Sequence, residues 1–490
     1  MLQAINLVVR LLAIAILARL LPKEAFGVTA LALAITMVFQ VLAQLDIRDS
    51  LIRASSLSTA IIRTSAIILG LSSLAWVVLI QISASRIEAI STIEDFSNAL
   101  FPISIILFIN SAIVIPEALL VRHGHGTSTV VAIVVSQVFG FLPVAVCLSF
   151  YFADYRSLVA GYLAESIILL IMLLVHSFQK RRQYEIIASS HKISWLKFKR
   201  TLRIIFRNSG LGILLRLQTQ LISRIDIICL SLYSTAGQVG AYSRAQALAF
   251  KPTETLIGRS LRTTVFPALV DRREDQKRLQ DAYRKSICAA ITLIWPVSLF
   301  LILAASEVIL LLLGADWTNA VVPFQALCIA AALRFSQRLL VTLSRAMGQM
   351  KNVAYSNFGY LVALSVVVVS AAQISLDAVA IAVAAVSIVF FVIAISIASN
   401  LVGLSLRQSI CFHLRPALGC IFYGVLLFVT LFWLRDQNYG AGVIFVASVG
   451  FSIFLAVAVA FTDPVLVFGK DAGQLILSIR KALQKYFARI

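Results

Sequence analysis

Eight basic side chains lie within strongly apolar stretches of this chain: Arg10, Arg19, Arg216, Arg224, Arg244, Lys251, Arg334 and Arg338. A charge at the centre of a membrane helix costs roughly 2.5–3.5 kcal/mol on insertion scales, so such groups face a partner or water rather than lipid. Five carboxylates occupy comparable stretches: Asp46, Glu117, Glu165, Asp226 and Glu254. They are candidates for pairing with the cations or for ion coupling. The cations outnumber them, which suits an anionic solute. Arginine offers a planar fork of donors and lysine a point charge, and both match phosphate or pyrophosphate.

Spacing places these groups on helix faces. Arg244 and Lys251 are seven apart, close to one face, with Glu254 a further turn along. Arg334 and Arg338 are four apart and share a face. Arg224 and Asp226 diverge by about 200° on an unbroken helix, so at least one must find its partner on another helix. Arg10 and Arg19 point opposite ways; Arg19, near a helix end, snorkels, leaving Arg10 to face inward. Two readings stay open for these cations: lining a water-filled central cavity, which we favour, and forming structural ion pairs.

Other chemistry is missing. The chain has no G-x-x-x-x-G-K-[ST], H-E-x-x-H, G-x-S-x-G or C-x-x-C, which leaves no nucleotide-driven pump, zinc protease, hydrolase or redox motif. His123 and His125 sit in a Gly-containing turn and read as a solvated loop, with no metal site. Cys147, Cys229, Cys288, Cys328, Cys411 and Cys420 read as buried small hydrophobes. We expect no cofactor and no enzymatic activity.

The elements that must carry these residues follow from composition. The 490 residues are 60% hydrophobic and 13% charged, with a mean hydropathy of +0.96, far from the soluble average of about 25% charged. An all-α polytopic membrane protein is predicted, with about fourteen transmembrane helices. We place them near 2–21, 27–46, 60–83, 98–120, 128–152, 157–177, 208–233, 236–258, 285–304, 320–344, 352–373, 377–402, 411–434 and 440–462. With both termini in the cytoplasm, thirty basic residues fall in cytoplasmic loops and tails. Only Lys23, Arg86, Arg156 and Arg435 fall outside, the pattern of the positive-inside rule. Much of the +20 net charge is therefore topology, and no nucleic-acid partner is needed. The first apolar run reads as a spanning helix, not a cleaved signal.

Five regions result: a six-helix lobe at 1–178, a basic cytoplasmic linker at 179–207, a second six-helix lobe at 208–403, two further helices at 404–463 and a basic amphipathic tail at 464–490. The linker, with Ile193, Trp195, Leu196 and Phe198, and the tail both suit an anionic membrane surface. The longest outer loop, about 84–97, has room for one short turn of structure. Pro116, Pro143, Pro252 and Pro296 mark expected kinks. A weak internal repeat relates Phe26-Gly27-Val28-Thr29-Ala30-Leu31-Ala32 to Val239-Gly240-Ala241-Tyr242-Ser243-Arg244-Ala245, 213 residues later. A second echo relates Arg122-His123-Gly124-His125 to Arg345-Ala346-Met347-Gly348-Gln349. Repeated six-helix halves are common in transporters.

Leu17-Ala18-Arg19-Leu20-Leu21-Pro22-Lys23-Glu24-Ala25-Phe26-Gly27 resembles the L-A-R-L-L-x-P-x-x-F-G opening of the polysaccharide-export (Wzx-type) flippases, with one residue fewer before the proline. Arg224-Ile225-Asp226, the segment Val239 to Ala245, and Val265-Phe266-Pro267-Ala268-Leu269 resemble later parts of that family. It belongs to the multidrug/oligosaccharidyl-lipid/polysaccharide exporter superfamily. The resemblance implies two six-helix lobes around a central cavity, with helices 13 and 14 beside them. It also implies movement of an undecaprenyl-pyrophosphate-linked oligosaccharide across a bacterial inner membrane by alternating access. A polysaccharide polymerase and a chain-length regulator are the implied partners, besides membrane lipids. Competing readings are a drug or metabolite exporter, a lipid II flippase, and a membrane polysaccharide polymerase. The short outer loops disfavour the last.

Overall fold

The computed structural model describes residues 2–54, 57–180, 186–187, 210–260 and 265–461. Most of the linker and all of the tail from residue 464 lie outside the described residues, so the surface-helix expectations for them do too. The described chain is helical almost throughout. Its helices are α1 (Leu2–Leu20), α2 (Lys23–Gln44), α3 (Ile47–Arg53), α4 (Thr59–Ile90), α5 (Phe96–Arg122), α6 (Gly126–Ser149) and α7 (Tyr155–Gln179). They continue with α8 (210–222), α9 (Ile225–Leu230), α10 (Ala236–Ser260), α11 (Phe266–Val270), α12 (Gln276–Leu303) and α13 (Ala305–Leu312). The last are α14 (Ala315–Ala346), α15 (Met350–Ala372), α16 (Leu376–Val402), α17 (Leu406–Asp436) and α18 (Ala441–Phe461). A two-residue parallel bridge joins Leu57–Ser58 to Ile186–Ile187.

Among the described residues, ten helices are long and apolar enough to cross a membrane: α2, α4 to α7, α12 and α14 to α17. The other four expected spans coincide with α1, α8–α9, α10 and α18. Three of those four carry most of the candidate cations: Arg10 on α1, Arg216 and Arg224 at α8–α9, and Arg244 and Lys251 on α10, while Arg334 and Arg338 lie on α14.

Two compact units are present, Met1–Arg244 with Asn357–Val379, and Ala245–Ser356 with Ala380–Ile490. In the first, α5 packs against α2, α3, α4 and α7, which buries Leu100, Ile103, Leu107 and Leu120 completely. In the second, α12 packs against α14 and α17 around Tyr283, Ile287, Leu339, Leu343 and Cys420. The outward faces stay apolar: Leu71, Ile82, Phe422 and Phe432 are all more than half exposed. Helices with this pattern face lipid instead of water.

Local chemistry explains the breaks. At Pro143 the missing N–H and the ring would disrupt an ordinary helix. The chain answers with a π-helical stretch, Gln137–Phe141, in which the Leu142 amide reaches back to the Gln137 carbonyl. α5 ends in a turn with Gly124 at φ +80°, and α14 in one with Gly348 at φ +70°. In both, the next amide bonds back five residues, His125 to Leu120 and Gln349 to Ser344, each at 2.8 Å. The second sequence echo is thus the same glycine-terminated helix end built twice.

Three expectations are corrected. The helix placed at 208–233 is interrupted by a turn at 223–224, which its apolar sequence did not signal. α4 continues to Ile90 and takes up half of the expected outer loop. Cys147 and Cys411 are exposed, and only the other four cysteines are buried. Both exposed thiols lie on apolar helices whose outer faces suit a small hydrophobe equally well.

Candidate functional site

The break at 223–224 positions the first pair of cations. Arg224 sits just before α9, with φ −131° and ψ −15°, and its Nη2 lies 3.2 Å from the Met37 sulfur on α2. Arg244 stacks its guanidinium over the Phe26 ring, 4.9 Å from the centroid, and shares a side-chain hydrogen bond with Tyr162 on α7. Arg224 lies within electrostatic range of Arg244 as a like charge. The Nε of each arginine is enclosed and makes no hydrogen bond. Among the described residues, these two guanidiniums meet a thioether, an aromatic ring and a phenol. All are neutral, so the positive charge is stabilised by cation–π and dipole contacts without being cancelled.

Asp226 follows Arg224 by two residues. It is wholly buried. One carboxylate oxygen accepts from the Tyr242 hydroxyl at 2.8 Å and the other from the Ile227 amide at 2.9 Å. The partner on another helix that the spacing demanded is therefore Tyr242 of α10. Arg10 on α1 supplies the opposite charge for Glu165 on α7, and Gln137, at the start of the π stretch, adds a side-chain hydrogen bond.

Other members of the expected set form ion pairs. Arg216 Nη2 reaches Asp46 at 3.0 Å and Asp49 at 2.6 Å, while Arg53 reaches Asp46 at 3.2 Å. Asp46 is held in the left-handed region, φ 57°, directly after Leu45 at φ 48°. Its side chain is only 2% exposed. Glu117 accepts from Arg48 at 2.8 Å, and Arg122 Nη1 donates to the carbonyls of Leu51, Ile52 and Ala54 at the end of α3. These groups tie α3 to α5 and α8.

In the second unit, Glu254 accepts from Arg338 at 2.8 Å and lies 3.6 Å from Lys251. Arg334, one turn before Arg338, stacks over Phe250 at 4.4 Å. The expected face-sharing of Lys251 with Glu254 and of Arg334 with Arg338 thus yields a two-cation, one-carboxylate group beside a stacked arginine. Sequence reasoning missed a two-bond ion pair in this unit. Arg435 Nε and Nη2 each bond one oxygen of buried Glu307 at 2.8 Å, and Nη2 also donates to the Leu303 carbonyl. Only an acidic residue at the start of a short apolar helix hinted at it.

A search of curated proteins found no match to this sequence. Among solved structures, the lipid II flippase MurJ in an inward closed conformation is similar, with a TM-score of 0.69 and 13% identity over 94% of this chain and 97% of that one. An inward-facing multidrug resistance MATE family transporter of the MOP superfamily gives a TM-score of 0.52 and 16% identity over 82% and 95%. A MATE transporter of Vibrio cholerae gives 0.53 and 12% over 81% and 93%. These likenesses establish a transporter fold shared with MurJ and MATE proteins. The sequence profile of the family described as "Polysaccharide biosynthesis protein" matches residues 16–322, well over half of the chain. With helices, repeats and profile in agreement, this chain belongs to the polysaccharide biosynthesis protein family.

Proposed function

We propose that this protein flips an undecaprenyl-pyrophosphate-linked oligosaccharide from the inner to the outer leaflet of a bacterial inner membrane, for export as exopolysaccharide, capsule or O-antigen. The observation that carries this reading is the Arg224–Arg244 pair, two guanidiniums held by neutral groups inside a membrane-embedded unit. Such a pair attracts a diphosphate, whose two phosphoryl groups match two forks. Arg10, Lys251, Arg334 and Arg338 supply further positive charge for the headgroup as access alternates between the two sides. Arg216, paired with Asp46 and Asp49, serves the scaffold. The positive-inside pattern supports both termini in the cytoplasm, and with α1, α8–α9, α10 and α18 counted as spans there are fourteen, twelve in six-helix lobes at 1–178 and 208–403 and two at 404–463. A polymerase and a chain-length regulator would act on the product.

Lipid II remains a second candidate, because the MurJ likeness is a specific observation in its favour and its headgroup also carries a pyrophosphate. Deleting the gene and fractionating lipid-linked sugars separates the two. Loss of a surface polysaccharide, with its lipid-linked repeat unit trapped on the inner leaflet, supports the proposal. Trapped lipid II with intact surface polysaccharide supports the alternative. An unchanged glycan and lipid profile points to an exporter of other solutes.

A further inference from the structure

The π-helical break in α6 brings polar groups of three helices together. In the stretch Gln137–Phe141 the helix takes in an extra residue, and two glycines let that stretch close onto α7. A Cβ built on Gly140 would stand 3.1 Å from the Ala164 carbonyl oxygen and from the Glu165 backbone. One built on Gly161 would meet the Phe141 ring and carbonyl oxygen at 3.1 Å. The approach sets the Phe141 and Tyr162 rings 4.7 Å apart and lets the Gln137 side chain hydrogen-bond Glu165. Arg10 of α1, a helix that packs on α6, supplies the opposite charge to the same carboxylate.

This group leaves donors and acceptors over. Gln137 is only 5% exposed. Its amide nitrogen is the part that can donate to Glu165, and its Oε1 is enclosed and accepts no hydrogen bond among the described residues. Arg10 Nε is enclosed likewise with no acceptor, and so is Asn6 Oδ1, one turn before Arg10 on the same face of α1. Buried polar atoms left without partners are unfavourable and uncommon. Two unused acceptors and one unused donor suit a ligand rich in groups that both donate and accept, such as hydroxyls or a secondary amide. Arg10 and Glu165 offset each other, so the group has little net charge to offer an ion.

Tyr162 ties this group to the cation pair. It shares a side-chain hydrogen bond with Arg244 and lies three residues before Glu165, on one face of α7. A ligand held at Gln137 and Arg10 therefore stands beside one held at Arg244. We propose that Gln137, Arg10 and Asn6 hold the sugar joined directly to the pyrophosphate, and that they select an uncharged ring bearing hydroxyl or acetamido groups over an acidic one. Charge at Arg224 and Arg244 binds the pyrophosphate, and hydrogen bonds at this subsite choose the sugar. Arg10 is partly exposed on a long side chain, so it can swing aside to admit the ring. The inference rests on the flippase reading.

The test is a titration of the purified full chain in lipid nanodiscs with undecaprenyl pyrophosphate, either bare or bearing one glucose, galactose, N-acetylglucosamine or glucuronic acid. In wild type, at least one of the three uncharged sugars should tighten binding over the bare lipid by roughly three- to tenfold, the worth of about one net hydrogen bond. Glucuronic acid should give no such gain. Gln137→Met removes the amide at similar length, and Arg10→Lys keeps the charge but removes Nε. Each should erase the gain, so that glycosylated and bare lipid bind alike; if the melting midpoint shows one variant to be misfolded, the other decides. A gain that survives in the folded variants, tightest binding of the glucuronic acid lipid, or no gain from any sugar, as expected if water alone meets these atoms, would each overturn the subsite. Failure of wild type to bind any of these lipids, or binding undiminished by Arg244→Ala, would instead sink the flippase reading of the cation pair, and the subsite with it.

Discussion

Replacing Arg435 with alanine should destabilise the second unit far more than neutralising its partner does. The Glu307 side chain is 6% exposed and that of Arg435 is 41% exposed. Breaking a buried pair typically costs 3–5 kcal/mol because a charge is left without compensation, whereas an exposed pair is worth 0.2–1 kcal/mol. This pair has one partner of each kind. Arg435→Ala strands a carboxylate in the interior and should cost about 2 kcal/mol, between those limits. Glu307→Gln leaves an arginine that can hydrate and still bond the Leu303 carbonyl, and should cost about 1 kcal/mol or less. The double variant Glu307→Gln/Arg435→Ala should recover most of the loss, since no buried charge remains. Apparent melting midpoints of detergent-solubilised protein read the difference, on the order of a few degrees for Arg435→Ala. Equal effects of the two single variants, or a double variant worse than Arg435→Ala, would refute the reasoning.

Three further outcomes follow from particular contacts. Tyr242→Phe removes a hydrogen bond to wholly buried Asp226 and should cost about 1.5–3 kcal/mol; Tyr242→Phe/Asp226→Asn should be milder than Tyr242→Phe alone in the same melting assay. Asp46→Asn should destabilise more than Asp49→Asn, because Asp46 is 2% exposed and held by two arginines, while Asp49 is 38% exposed; equal midpoints would contradict this. Tyr162→Phe should leave the melting midpoint within about 1 kcal/mol of wild type yet reduce export, because it frees Arg244 to leave its position; loss of folded protein instead would make Tyr162 a packing residue.

How much was legible in the sequence depended on whether the signal was local. Helix positions follow from apolar runs bounded by Pro22, Gly124, Gly348 and Gly403, whose backbone needs act within a few residues. The face-sharing of Lys251 with Glu254 and of Arg334 with Arg338 follows from helical spacing alone. Nothing local distinguishes Arg216 from Arg224, since both are single arginines in apolar stretches. Arg216 is paired because the turn after α2 brings Asp46 and Asp49 to it, and Arg224 meets Met37 because α9 starts anew at that point. Tyr242 read as part of a repeat, and its bond to Asp226 depends on how α10 packs on α9. Glu307 and Arg435 are 128 residues apart, beyond any periodicity. The internal repeat was weak as sequence, yet Gly27 lies against the Ala236 carbonyl and Gly240 against the Lys23 carbonyl, because backbone approach constrains residue size at few positions.

The most direct measurement is complementation of the deletion strain by Arg224→Ala and Arg244→Ala, singly and together, with Arg216→Ala as the scaffold comparison. Surface polysaccharide, lipid-linked intermediates and the amount of folded membrane protein are scored in parallel. The account predicts that the two cavity variants accumulate at normal levels but trap the lipid-linked intermediate on the inner leaflet, while Arg216→Ala lowers the amount of folded protein. Normal polysaccharide from the double variant Arg224→Ala/Arg244→Ala, at normal protein levels, would contradict a cationic route for the pyrophosphate.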